Sequence, residues 1–157
     1  FLRHVPSYND GDFSWERMEA AYNNELANEL GNAVSRIAAM IAKYQDNIIG
    51  EIPPSEHDMH EYEEAVAHCK FDRALDEVWE QVRGINQYID TQKPWEIAKT
   101  NDVAHLQEVL AYSVSCLLEI AELLEPFMPE TAHKMQFVFK EGIVRPLDSS
   151  LFPKQDL

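Results

Sequence analysis

Apolar positions recur every three or four residues along most of this chain, the period of helices with one buried face. The first stripe passes through Trp15, Met18, Tyr22, Leu26, Leu30, Ala33, Val34, Ile37 and Ile41. With Ser14 as N-cap it predicts one helix from about Trp15 to Tyr44. Gly50, Pro53, Pro54 and Ser55 break the pattern, and the acidic stretch from His57 to Cys69 reads as a short helix or a partly ordered connection. A second long helix is predicted from Lys70 or Phe71 to Asp90, striped by Phe71, Ala74, Leu75, Val78, Trp79, Val82, Ile85 and Ile89. Pro94 opens a single helical turn that reaches Lys99. Asp102 caps a third long helix running to about Leu124, striped from Val103 through Leu110 and Leu117. Pro126 and Pro129 end it, and a fourth helix covers Glu130 to Phe139. Residues 1–13, with turn markers at Pro6, Asn9, Asp10 and Gly11, read as irregular, and the tail from Gly142 to Leu157 as irregular or extended. No stretch keeps the two-residue period of a strand. The expected fold is all-α: an antiparallel bundle of three long helices plus shorter ones, with short connections.

Composition narrows what such a bundle can touch. The chain has 157 residues, enough for one domain with a full core. Its 13 Lys and Arg face 28 Asp and Glu, a net charge of −15. That surface repels polyanions at long range, so contact with nucleic acid or anionic lipid needs a local basic patch. No apolar run approaches the roughly 18 residues of a membrane span, and no membrane partner is expected. The chain begins at Phe1-Leu2-Arg3-His4 without a Met and reads as a fragment of a longer protein, with residues 1–13 as the linker from an upstream domain. Cys69 and Cys116 are expected as buried or half-buried thiols in a reducing cytosol.

The candidate chemistry lies where the helical pattern is weakest. Gly31 and two Asn interrupt an otherwise strong helix, and Gly alone costs about 0.8–1 kcal/mol against Ala in a helix interior. Asn28, Asn32 and Arg36 stand at i, i+4 and i+8, a spacing that aligns three planar polar groups along one α-helical face. Amides and guanidinium groups suit the edges of unpaired bases. Taken alone, Arg36 reads as a surface charge paired with a carboxylate such as Asp46 or Glu29, and only the row with Asn28 and Asn32 favours a reading role. Trp95, next to Pro94 and flanked by Lys93 and Lys99, is either a packed bundle-end aromatic or a stacking platform for a base. Lys43, one heptad beyond Arg36, extends that face with positive charge.

Other motifs fail their tests. His57-x-x-His60 with His68-Cys69 fits no common zinc spacing. Glu130-x-x-His133 is half of a di-iron signature whose second half is missing. There is no Gly-rich phosphate loop and no recognisable nucleophile, so no catalytic residue and no metal ligand is assigned. A helical protein-interaction or structural bundle without a nucleic-acid role stays open on these residues, and the acidic charge favours it.

Several segments in order resemble a known family. They are Asp10-Gly11-Asp12-Phe13-Ser14-Trp15, Asn28-Glu29-Leu30-Gly31-Asn32 with Arg36, Lys93-Pro94-Trp95-Glu96-Ile97-Ala98-Lys99, Pro126-Phe127-Met128-Pro129 and Leu151-Phe152-Pro153. Together they resemble the anticodon-binding helical domain of class I aminoacyl-tRNA synthetases, and most closely that of the methionyl-tRNA synthetases. The resemblance covers essentially the whole chain. It implies that Trp95 stacks on an anticodon base while Asn32 and Arg36 bond to base edges; Asn28, which shares their face, and the charges of Lys43, Lys93 and Lys99 are expected as additional RNA contacts. The anticodon would be CAU, that of tRNA-Met. The resemblance further implies a cytoplasmic parent enzyme whose catalytic domain lies upstream in the same chain. ATP and magnesium, and zinc in an insertion, would belong to that upstream part. No cofactor is expected in this fragment, and a homodimer would form only through a region outside it.

Overall fold

The computed structural model describes residues 1–5, 14–55, 57–145 and 150–153. The turn markers from Pro6 to Gly11, and the tail at 146–149 and 154–157, lie outside the described residues. The architecture is an all-α bundle. In chain order its helices are α1 (Trp15–Ala21), a π-helical segment (Tyr22–Gly31), α2 (Asn32–Tyr44), α3 (His60–Ala67), α4 (Phe71–Gln92), α5 (Pro94–Ile97), α6 (Val103–Leu124) and α7 (Pro129–Val138). Ser14 caps α1 by accepting from the Arg17 amide, and Asp102 caps α6 by accepting from the His105 amide, as the sequence predicts. The acidic stretch after His57 resolves into the two-turn α3, which packs along α4.

α6 sits at the centre, against α4, α7, α2 and α5. Leu110, Val114, Leu117, Ile120, Ala121 and Leu124 are fully enclosed. No uninterrupted apolar run of a membrane span's length exists, yet by length and average composition α6 is apolar enough to cross a membrane. It has 22 residues and a stretch of mean hydropathy 1.2, since its leucines, valines and alanines outweigh the few glutamates that interrupt the run. Its apolar character is accounted for by the neighbours on several sides rather than one. One of the two cysteines departs from expectation. Cys116 is buried in α6, where burial pushes its thiol upward, whereas Cys69 is exposed with φ 55°. Cys69 makes the corner between α3 and α4, and a corner turns its side chain outward.

The first long helix spans the predicted residues but is not α throughout. From Tyr22 to Gly31 it widens to i→i+5 bonding. This stretch holds Asn23, Asn24, Asn28 and Gly31, residues that lose little by leaving the α form. Gly31 closes the segment in a tight place. A Cβ there would lie 3.2 Å from the Leu26 carbonyl oxygen and 3.3 Å from Cδ2 of Phe152 in the tail. Gly31→Ala is therefore expected to destabilise the chain by about 1–2 kcal/mol, since overpacking outweighs the gain in helix propensity. Urea unfolding checks this. A midpoint that rises would show the contact to be loose.

The tail closes the bundle at two points. Ile143 forms an antiparallel bridge with Ile48, flanked by the Ile49 amide donating to the Gly142 carbonyl (2.8 Å) and the Val144 amide donating to the Asn47 carbonyl (2.9 Å). Leu151 and Phe152 are buried in the main core.

Candidate nucleic-acid interface

α2 and α4 share a seam in which Ala33, Ile37, Ile85 and Ile89 are buried, with only a shallow dent and no enclosed cavity. Arg36 crosses its rim. Its Nη2 donates to Oδ1 of Asp90 at 2.8 Å, with the Arg36 side chain about one-third exposed and Asp90 mostly so. Neither expected partner of Arg36, Asp46 or Glu29, is the one used: the carboxylate comes from the facing helix. Asn86 stitches the same seam, donating to the carbonyls of Glu29 (3.3 Å) and Val82 (3.0 Å). Asn32, the first residue of α2, is exposed and lies one turn before Arg36 on the same face.

Asn28 is exposed as well, but it stands inside the π segment. The wider turn advances each residue by a smaller angle, so Asn28 is rotated away from the position an α-helix would give it. The expected row of three is thus a pair, Asn32 and Arg36, with Asn28 set off from it.

Five residues after Asp90 comes Trp95. The connection depends on Lys93, which adopts the left-handed conformation (φ 50°, ψ 62°) while its amide donates to the Ile89 carbonyl at 3.0 Å. A non-glycine residue held this way costs roughly 1–2 kcal/mol. The turn ends α4 and starts α5 within one residue, with Pro94 buried at the first position of α5. Trp95 is half-buried, packed on the core at one side and open to solvent at the other. It therefore has the attributes of both the packing residue and the platform.

The lysines are more locally committed than the sequence suggests. Lys93 Nζ lies 3.8 Å from Glu96, and Lys43 Nζ sits 5.1 Å above the Tyr44 ring. Lys99 is exposed beyond the end of α5. A larger hollow of about 410 Å³ opens elsewhere, lined by Asp58, Glu77, Glu80, Tyr88 and Tyr112 among others. Burial, reinforced by Glu61, Glu80 and Asp76, holds the Glu77 carboxyl above its usual range. An acidic lining of this kind repels a phosphate backbone. The histidines have local ties: His57 Nδ1 meets Glu119 at 2.7 Å and His68 Nδ1 meets the Glu64 carbonyl at 2.8 Å. Among the described residues no three His, Cys, Asp or Glu are grouped to hold a metal.

The fold is shared with the Mycobacterium tuberculosis methionyl-tRNA synthetase. Its apo form superposes on 99% of this chain with a TM-score of 0.86 at 24% identity, this chain matching 38% of that one. Its complex with methionyl-adenylate gives 0.81 over 97% of this chain at 27% identity, covering 36% of that one. The architecture is therefore that of a helical domain within a class I synthetase. The family model "Anticodon binding domain of methionyl tRNA ligase" matches residues 31–146, and the chain belongs to that family. A second model, "tRNA synthetases class I (M)", matches residues 1–38. Methionine–tRNA ligase of Streptomyces coelicolor is 36% identical over 154 residues, covering 86% of this chain and 28% of its own length. That of Clostridium acetobutylicum is 39% identical over 147 residues, covering 86% and 23%. The chain thus spans about a quarter of the length of these curated relatives.

Proposed function

We propose that this bundle reads the CAU anticodon of tRNA-Met and serves as the specificity module of a longer methionine–tRNA ligase. The observation that carries this reading is the Arg36–Asp90 bond. It ties the exposed face of α2, which carries Asn32 and Arg36, to the end of α4, from which the chain turns through Lys93 into Trp95. One terminal nitrogen of Arg36 is committed to Asp90, and a guanidinium carries five N–H donors, so the fork can be aimed and still bond a base edge. The exposed part of Trp95 offers a face for an unstacked base. Asn32 supplies both donor and acceptor. Asn28, Lys43, Lys93 and Lys99 are secondary contacts to neighbouring nucleotides and phosphates.

On this reading, residues 1–13 link the bundle to the upstream catalytic domain of the same longer chain, and residues 142–157 form its tail. Charging of the tRNA, in the cytoplasm, belongs to that upstream domain and its ATP. The bundle contributes differential affinity. RNA hairpins that differ only at the first anticodon base test this directly. A wrong base leaves a polar group unpaired at about 1–3 kcal/mol, so the CAU hairpin is expected to bind roughly 5- to 150-fold more tightly than its variant. Equal affinities would overturn the reading.

A further inference from the structure

The π segment is held at both ends by the same residue of the tail. At its last position, Gly31, the Phe152 ring comes within 3.3 Å of where a Cβ would stand. At its first position, Tyr22, the two rings meet edge to face with centroids 6.2 Å apart and an interplanar angle of 88°. The Tyr22 hydroxyl also donates to the Pro153 carbonyl at 3.0 Å. Phe152 is itself only 8% exposed, fixed in the core beside Leu151. A wide helical turn forfeits packing across its axis and is uncommon, so something outside the helix has to favour it over the α form.

The neighbouring anchors make this consequential. Glu25, within the segment, is bonded to Arg3 (2.7 Å) and His4 (2.9 Å), and Arg3 also reaches Asp76 of α4 at 2.8 Å. Arg36, beyond the segment, is bonded to Asp90 of α4. The first long helix is therefore tied to α4 within the wide turn, through Arg3, and again beyond it, at Arg36. Relaxation of that turn to α geometry slips one side against the other, which rotates Asn28 and Asn32 relative to each other.

We infer that Phe152 is a positioning residue: seated on Tyr22 and Gly31, it holds the wide turn and so sets where Asn28 stands relative to Asn32 and Arg36. The consequence for RNA rests on the proposed anticodon reading, but the hold on the helix does not. Phe152→Ala and the milder Phe152→Leu separate the two. Hydrogen exchange reads the helix without RNA. In Phe152→Ala the amides of residues 23–31 are expected to exchange at least about tenfold faster than in the parent, while those of α4 and α6 change far less, a local opening rather than a global one. Phe152→Leu should fall between. Exchange at 23–31 that tracks α4 and α6 in both variants overturns the inference.

The RNA arm compares affinity for the CAU hairpin with affinity for a hairpin altered at one anticodon base. Phe152→Ala is expected to compress that ratio several-fold, with Phe152→Leu restoring much of it. Loss of stability alone lowers both affinities together and leaves the ratio intact. Faster exchange with an unchanged ratio overturns the positioning role. If the parent chain binds neither hairpin, the anticodon reading fails, and the exchange measurement still decides whether Phe152 holds the turn.

Discussion

Replacing Trp95 by Ala is expected to weaken binding of a CAU hairpin by about 1–3 kcal/mol, roughly 5- to 150-fold, the range found for loss of one base–aromatic stack. Two properties of the site sharpen the expectation. Trp95 is half-buried against the core, so truncation to Ala also removes packing and should lower stability. Trp95→Leu keeps much of the apolar contact and loses the stack, and Trp95→Phe keeps both in reduced form. Affinity should therefore order as Trp, Phe, then Leu and Ala, while stability separates Leu from Ala. The chain is acidic and the nearby lysines are few, so phosphate contact contributes little and the Trp95 deficit should persist as salt is raised. A deficit that disappears at high salt, or a Leu variant that binds like the parent, would place the energy elsewhere.

Most of the bundle was legible from periodicity because the helices that bury one face announce it. The α4 stripe from Ala74 to Ile89 is buried residue by residue as predicted. The limits of that reasoning show at helix ends. Trp15, Met18 and Val103 belong to the predicted stripes, yet they are 66%, 42% and 66% exposed. Periodicity identifies a face; it does not reveal how far the neighbouring elements extend along it. The π segment was invisible for a related reason. Asn and Gly mark a weak stretch of α-helix, but what replaces it depends on Phe152, which arrives from the far end of the chain.

The residue types of the proposed site stood out in the sequence; their geometry was less legible. Asn32 and Arg36 stand out because the spacing holds once α2 begins. The partner of Arg36 could not be read off, since Asp90 comes from across the α2–α4 seam, whereas sequence reasoning looks first to neighbours along one helix. Lys93 is the second silent feature. Nothing in a lysine signals the left-handed conformation, yet that one residue lets α5 follow α4 directly and presents Trp95.

Arg36→Ala is expected to cost about 1.5–3 kcal/mol toward the CAU hairpin, roughly 10- to 150-fold, as befits a charged donor to a base edge. The loss should be selective. A purely electrostatic contact would weaken all hairpins alike, whereas an edge contact lowers the ratio between the cognate hairpin and one altered at a single base. Asp90 then becomes the informative partner. As an exposed ion pair it contributes about 0–1 kcal/mol to stability, so Asp90→Ala should barely move the unfolding midpoint. It also removes a negative charge from the proposed RNA site, which by charge alone would tighten binding. If Asp90 instead aims the guanidinium, Asp90→Ala lowers discrimination several-fold despite the favourable change in charge. In an Arg36→Ala background the same substitution should then leave discrimination unchanged, because nothing remains to be aimed. A double-mutant cycle on the affinity ratio measures that coupling. Additive effects would mean that Asp90 pairs with Arg36 in the free protein and has no part in reading the base.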